Sequence, residues 1–121
     1  MSREVEKPWG HEEIWAETEN YVGKILYIRA GTRLSLQHHR VKDETIRLLS
    51  GEMRLDLEDA GGTMQAHHFE AGMSTHIAPG RKHRMTAISD VALLEVSTPQ
   101  LDDVIRHEDD YGRSSSTNPL D

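Results

Sequence analysis

The chain has 121 residues and no cysteine. Without thiols it can form neither a disulfide nor a thiolate zinc site, a composition that fits a reducing compartment. Long apolar runs are also missing, since no stretch approaches the length of a transmembrane helix. The N-terminal residues MSREVEK contain no apolar signal core. The sequence therefore predicts a cytoplasmic protein without a membrane partner.

Clustered positive charge is equally scarce. The formal net charge is −7, and Lys and Arg form no long run. A nucleic-acid surface needs such clusters, so nucleic-acid binding is not expected. The glycine-rich patterns Gly-x-x-x-x-Gly-Lys and Gly-x-Gly-x-x-Gly are absent, as is the serine elbow Gly-x-Ser-x-Gly. These absences argue against nucleotide-binding loops and against a serine nucleophile of that type.

Short stretches of alternating apolar and polar residues are present instead. Met53, Leu55 and Leu57 alternate with charged residues, and 91–96 is more continuously apolar, as in a covered strand. Turn signals separate such stretches at Gly31-Thr32, Ser50-Gly51, Ala60-Gly61-Gly62, Ala71-Gly72, Pro79-Gly80 and Ser89-Asp90. Short strands at this spacing predict an all-β sandwich or barrel, and the chain length fits a single domain with one modest core.

The two ends of the chain carry further expectations. We assign residues 1–113 to one barrel whose N-terminal arm covers about residues 1–20, and residues 114–121 to a polar C-terminal tail. Residues 101–107 are predicted to form a short helical turn. Trp9 and Trp15 are the only tryptophans, and we expect them to pack the arm over the barrel or a partner subunit. Lining a sugar is the alternative for these two rings.

Metal-binding side chains are concentrated in one part of the sequence. Gln37, His39 and Glu44 lie close together, and His83 follows the Pro79-Gly80 turn. Residues two apart on a strand point to the same face, so Gln37 and His39 share a face. Imidazole nitrogens with amide and carboxylate oxygens suit Zn, Mn, Fe, Co or Ni. We predict one divalent metal ion, with Zn as the first candidate. The adjacent pair His67-His68 is interpreted as a solvated strand edge.

This pattern resembles the two motifs of the cupin superfamily. The run Gly31–Gly51 resembles the first motif, with Gln37 in place of its first histidine. The stretch from Gly72 to His83 resembles the second motif, with Ala87 where an asparagine usually ends it. The resemblance implies a double-stranded β-helix, or jelly-roll barrel. It implies the metal ligands Gln37, His39, Glu44 and His83.

A narrower resemblance is to the cupin domain of type II mannose-6-phosphate isomerases, which is also fused behind mannose-1-phosphate guanylyltransferases. The similar segments, in order, are Lys7–Gly10, Arg33–Gln37, His39, Glu44, Pro79-Gly80, His83-Arg84, Leu94–Val96, Asp102–Arg106, Glu108-Asp109 and Tyr111–Arg113. They cover about residues 7–113, and Gln37 is this family's own residue at its position. The chain departs from the family at Lys42, where the family has Arg, and at Thr45-Ile46, where it has His-Trp. Lysine keeps the charge but loses the bidentate fork.

The resemblance implies a metal-dependent isomerase that interconverts the aldose and ketose forms of a sugar phosphate, with mannose 6-phosphate as substrate. Lys42 and His76 are then the candidates for proton transfer, and Arg84 and Arg47 the candidates for phosphate binding. It further implies a homodimer. Two alternatives stay open: a non-catalytic accessory cupin that binds metal and sugar, and another cupin enzyme such as a dioxygenase or decarboxylase.

Overall fold

The structure, a computed structural model, describes residues 2–117, which form twelve β-strands and no helix. The strands are β1 (Arg3–Lys7), β2 (Gly10–Glu17), β3 (Val22–Ile28), β4 (Leu36–His38), β5 (Glu44–Ser50), β6 (Glu52–Glu58), β7 (Met64–Glu70), β8 (Ser74–Ile77), β9 (His83–Ala87), β10 (Val91–Ser97), β11 (Asp103–Glu108) and β12 (Ser116–Thr117). They form two six-stranded sheets, ordered β1-β2-β3-β10-β5-β8 and β12-β11-β4-β9-β6-β7. The predicted all-β, single-domain fold is confirmed.

Alternation along the strands builds the core. In β5, Glu44, Ile46 and Leu48 are buried, whereas Thr45 and Arg47 between them are exposed. Because successive strand residues point to opposite faces, each sheet turns one apolar face inward. The inward faces supply the core, which contains Trp9, Leu26, Ile28, Leu34, Ile46, Leu48, Met53, Leu55, Leu57, Phe69, Ile77, Met85, Ala87, Val91 and Leu93. Glu44 therefore reaches the interior because it shares the inward face of β5.

The turn between β5 and β6 depends on glycine. Gly51 has a φ of +87°, a left-handed conformation that side chains disfavour. A Cβ at this position would lie 2.2 Å from the carbonyl oxygen of Asp90. Both constraints make the predicted Ser50-Gly51 turn specific for glycine. The turn joins β5 to β6, which lie in opposite sheets.

The C-terminal region corrects one prediction. The helical turn predicted for residues 101–107 is wrong, since Asp103–Glu108 is strand β11. Its backbone pairs with β4 on one side, through Ile105 and Arg106, and with β12 on the other. This long-range pairing outweighs the weak local helical signal. Of the predicted polar tail, residues 118–121 lie outside the described residues.

The two tryptophans have different environments. Trp9 is 2% exposed and belongs to the core, which confirms the packing role expected for it. Trp15 is 46% exposed, and its indole lies over Gly23, where an added Cβ would come within 2.7 Å of the ring. The arm containing both rings forms β1 and β2 at one edge of a sheet. Across residues 2–117 there is no helix long and apolar enough to span a membrane.

Candidate metal centre

Three predicted metal ligands converge between the two sheets. His39 follows the end of β4, Glu44 begins β5 and His83 begins β9. One potential ligand atom from each residue lies within 4.8 Å of those of the other two. All three side chains are buried, with residue exposures of 4%, 2% and 1%. Glu44 comes from one sheet and His83 from the other, so a bound ion would lie between them.

The loops that position the histidines are hydrogen-bonded to one another. The backbone N–H of Gly80 donates to the carbonyl oxygen of His39 at 2.6 Å. Gly80 has a φ of +83° and lies in a turn closed by a bond from Arg81 N–H to the carbonyl of Ala78. The conformation favours glycine, because side chains clash in this region. A backbone hydrogen bond therefore connects the two stretches that resemble the cupin motifs.

The imidazoles are oriented for metal binding. The Nδ1–H of His39 donates to the carbonyl of Asp103 at 2.6 Å, and that of His83 donates to the carbonyl of Arg81 at 2.9 Å. Each bond fixes the proton on Nδ1, which leaves the Nε2 lone pair facing inward. These Nε2 atoms lie 3.3 and 3.4 Å from Oε1 of Glu44.

The inward groups form a cluster of electron-pair donors that a cation would complete. The Nε2 atom of His39 is buried and has no hydrogen-bond partner among residues 2–117. In the neutral forms that bind metal, the two imidazoles would turn two nitrogen lone pairs toward a carboxylate oxygen, an arrangement that is unfavourable unless a positive charge lies between them. The residues present therefore fit a divalent metal ion.

The protonation of these groups favours the same conclusion. Burial lowers the pKa of His83 to about 4, so its imidazole is neutral near pH 7. Burial alone would raise the pKa of Glu44, but Lys42 and the facing imidazoles outweigh burial and hold that pKa well below its ordinary value. A neutral imidazole and an ionised carboxylate are the forms that bind metal.

Gln37 lies next to this cluster with its amide oxygen turned away. Its backbone pairs with that of His83, and its Nε2 is 3.5 Å from Nε2 of His83. Its Oε1 instead accepts a hydrogen bond from the Ser35 hydroxyl at 2.6 Å. A half-turn of the amide would direct Oε1 to the centre and keep the bond to Ser35, because a hydroxyl can donate or accept. Gln37 is therefore placed to be the fourth ligand.

Lys42 is buried within a chain of alternating charges. Its Nζ lies 3.2 Å from Oε2 of Glu44 and 2.8 Å from Oε2 of Glu95. The chain continues through Lys24, whose Nζ is 3.7 Å from Oε2 of Glu95 and 3.1 Å from Oε2 of Glu12. Burial would lower the pKa of Lys42, but Glu95 and Glu44 outweigh it and raise the pKa above its ordinary value. Lys42 is thus a fixed positive charge at neutral pH.

Two further residues predicted for the site lie outside it. The side chain of His76, on β8, is 60% exposed and contacts Oδ1 of Asp43 at 2.5 Å. Arg47 is exposed on the outer face of β5. Both predictions, proton transfer by His76 and phosphate binding by Arg47, conflict with these positions. The physical reason is the strand alternation, which sends both side chains outward.

Arg84 is buried but does not face the cluster. It follows His83 along β9 and therefore points to the opposite face of the sheet. Its Nε donates to the carbonyl of Leu34 and one Nη donates to Glu108, each at 3.0 Å. These bonds tie β9 to the chain entering β4 and to the end of β11. The guanidinium is therefore directed toward Leu34 and Glu108 and away from the cluster, and the predicted role of Arg84 in phosphate binding stays a prediction that this direction does not support.

Sequence reasoning missed other charged residues that line the same pocket. In addition to Gln37, His39, Lys42 and Glu44, the charged residues that line the pocket are Lys7, Glu12, Lys24, Glu95, Arg106 and Arg113. Four of these, Lys7, Glu95, Arg106 and Arg113, lie in segments that carried the family resemblance. That resemblance was the only signal pointing to them, since they are distant in sequence from the ligands and adjacent to them only in the fold.

The two antiparallel sheets enclosing a His-Glu-His group define a cupin. Solved structures support the fold. A Bacillus subtilis oxalate decarboxylase is similar with a TM-score of 0.76 at 15% identity, covering 88% of this chain and 30% of that one. KdgF from Halomonas sp. is similar with a TM-score of 0.69 at 17% identity, covering 84% of this chain and 90% of that one. The jelly-roll architecture implied by the sequence resemblance is confirmed.

The chain belongs to the family described as mannose-6-phosphate isomerase C-terminal, whose model matches residues 1–110. Mannose-1-phosphate guanylyltransferase ManC of Salmonella typhimurium is 30% identical over 118 residues, 93% of this chain and 24% of that protein. Mannose-1-phosphate guanylyltransferase 2 of Escherichia coli O157:H7 is 30% identical over 114 residues, 90% of this chain and 23% of that protein. The chain thus spans about a quarter of the length of these curated relatives.

Proposed function

We propose that this cupin is a metal-dependent sugar-phosphate isomerase that interconverts the aldose and ketose forms of mannose 6-phosphate. One observation carries the proposal: the ligand atoms of His39, Glu44 and His83 lie close together, and His39 and Glu44 also line a charged pocket. The family match and the mannose-phosphate enzymes among the relatives support the choice of substrate.

His39, Glu44, His83 and Gln37 are the residues that would hold the ion. Zn²⁺ stays the first candidate, and Mn²⁺ is retained because a similar structure, the Bacillus subtilis oxalate decarboxylase, is described as having Mn(II) centres. When bound, a divalent ion polarises the carbonyl and hydroxyl oxygens of a substrate.

Isomerisation moves a proton between adjacent carbons, so the pocket must contain a base. Lys42 stays protonated and is unsuited to that role, but its charge can stabilise negative charge that develops on the substrate. Glu12 is the proposed base, since it lines the pocket and contacts one ammonium, that of Lys24. Glu95 contacts the ammonium groups of both Lys24 and Lys42, so its negative charge is balanced by two cations, whereas that of Glu12 is balanced by one. Glu12 takes the role that the sequence had suggested for His76.

A coupled assay on mannose 6-phosphate tests this function. Protein stripped of metal is assayed alone and after addition of each of several divalent ions. We expect turnover only in the presence of metal, loss of turnover in His83→Ala, and unchanged turnover in His68→Ala, whose side chain is 51% exposed. Glu12→Gln should abolish turnover while metal still binds. No turnover with any metal would refute the isomerase.

A second function, a non-catalytic cupin that binds metal and sugar, is favoured by one observation. Both carboxylate contacts of Lys42 are internal, to Glu44 and Glu95, and its side chain is only 5% exposed. A lysine whose charge is already balanced by Glu44 and Glu95 would stabilise little negative charge on a substrate. If this second function holds, calorimetry should detect binding of mannose 6-phosphate, and the coupled assay should detect no conversion. The homodimer and the cytoplasmic location inferred from the sequence stay predictions.

A further inference from the structure

We propose that Lys7, Arg106 and Arg113 form the anion-binding end of the pocket and hold the phosphate group of the substrate. The inference rests on the proposed function for its substrate class. It assigns the phosphate to residues that differ from Arg84 and Arg47, the two arginines that the sequence suggested. The same pocket is lined by two of the predicted metal ligands, His39 and Glu44, and by these three cations.

Arg106 is placed beside the metal cluster by strand pairing. Its backbone partner on β4 is Gln37, and the partner of Gln37 on β9 is His83. Residues directly opposite each other in antiparallel strands lie on the same face, so the three side chains form one row across the sheet. Two strand spacings separate the ends of the row, about 9.5 Å. The row therefore brings Arg106 to the side of the sheet from which a ligand could also contact the metal cluster.

Arg106 also has unused hydrogen-bonding capacity. One Nη donates to the carbonyl of Ser114 at 2.5 Å, but the buried Nε has no partner among the described residues. A buried N–H without an acceptor is costly, and a phosphate oxygen would satisfy it. Arginine presents its donors in a planar fork suited to phosphate.

Lys7 approaches the pocket from the other sheet. Lys7 lines the pocket and, within residues 2–117, its ammonium makes no hydrogen bond or ion pair. Burial lowers the pKa of Lys7. Glu12 opposes this effect, whereas the charges of Lys24, Arg113 and Arg106 add to it. Cations gathered without a carboxylate for each of them attract an anion.

Arg113 lines the pocket, and contacts with neighbouring residues hold its side chain in place. Its guanidinium forms a two-point ion pair with Asp109, with bonds of 3.0 and 2.9 Å, and lies 5.4 Å from the ring centre of Tyr111. These contacts fix its position before a ligand arrives, which reduces the entropy lost on binding. The cations at the pocket stand out against a net charge of −7 for the chain.

Calorimetry on the metal-loaded protein tests the assignment, with mannose 6-phosphate as probe, unphosphorylated mannose for comparison and inorganic phosphate as competitor. The variants Lys7→Gln and Arg106→Gln each remove one positive charge from the pocket. Arg47→Gln removes one from the outer face and is the matched control. We expect about tenfold weaker binding or more for the first two variants, as for loss of one hydrogen bond to a charged group, and no change for the control.

The outcomes separate this inference from the proposed isomerase. Absence of binding of both mannose 6-phosphate and phosphate to the wild type overturns the inference, as does equal weakening in all three variants or weakening only in Arg47→Gln. Binding with the expected pattern but without turnover leaves the inference standing and refutes the isomerase. Lys7→Gln removes no hydrogen bond within residues 2–117, so it remains informative even if Arg106→Gln unfolds.

Discussion

His39 donates its Nδ1–H to the backbone carbonyl of Asp103 at 2.6 Å, and the Asp103 carboxylate holds the loop that follows His39. Its Oδ1 accepts the backbone N–H of Arg40, and its Oδ2 accepts those of Val41 and Lys42. One residue at the start of β11 thus orients a metal ligand and the loop that leads to Glu44. Burial would raise the pKa of Asp103, but the three N–H donors outweigh it and lower the pKa.

Asp103→Asn should destabilise the protein and weaken metal binding. An asparagine offers one acceptor oxygen, and its NH₂ would face backbone donors that now bind a carboxylate. Loss of charged hydrogen bonds of this kind costs about 1.5–3 kcal/mol each. Urea unfolding measures the effect. Glu19→Gln, the same chemical change at an exposed position, is the control and should leave stability unchanged. Equal stability of Asp103→Asn and wild type would contradict this role.

Divalent metal should raise the melting temperature of stripped protein. An ion that binds only the folded state stabilises by mass action, by about 2.7 kcal/mol at a hundredfold excess over Kd. His83→Ala should abolish most of this rise, because its Nε2 faces Glu44. His68→Ala should retain it, because His68 lies near Glu52 on the surface. Differential scanning fluorimetry with and without metal checks both. Equal loss in the two variants would mean that other residues bind the ion.

Lys42→Met should destabilise the metal-free protein by about 3–5 kcal/mol, the range for breaking a buried ion pair by removing one partner. The change leaves Glu44 and Glu95 buried with less positive charge. Metal should recover part of the loss, since it supplies charge next to Glu44. Chemical unfolding in the absence and presence of metal measures both values. The prediction fails if metal restores nothing, or if the metal-free variant is as stable as wild type.

The metal-free protein should lose stability on mild acidification through His83. Its pKa is about 4 in the folded protein and 6.5 ordinarily. Between these values the unfolded chain binds a proton that the folded protein does not. The contribution is fully present above about pH 6.5 and is lost as the pH falls toward 4, at about 1.4 kcal/mol for each pH unit. The total for His83 is therefore about 3 kcal/mol.

Urea unfolding of the stripped protein between about pH 7 and pH 5 measures that slope. His83→Gln should flatten it, whatever its effect on stability at neutral pH, because glutamine does not titrate. His68→Ala should keep the slope of the wild type. The same slope in His83→Gln and wild type would show that another group is responsible.

The sequence by itself determined the fold class and the candidate ligands. Period-two alternation and regular turns are local signals, and they placed Met53, Leu55 and Leu57 on the inner face of a strand. The spacing of His39 and Glu44 and the Pro79-Gly80 turn before His83 are also local, so the metal cluster could be predicted. Residues 101–107 were misassigned because their strand is stabilised by pairing with distant strands rather than by their own propensity.

Only the tertiary structure decided what surrounds the cluster. Cross-strand register placed Arg106 in one row with Gln37 and His83, although the three are far apart in sequence. Register and alternation likewise sent Arg47 outward. The burial of Lys42 between two carboxylates depends on how the two sheets pack. The face that each strand residue occupies follows from the local alternation of apolar and polar residues. The partners of a strand depend on packing across the whole chain, because pairing and burial involve residues that are distant in sequence.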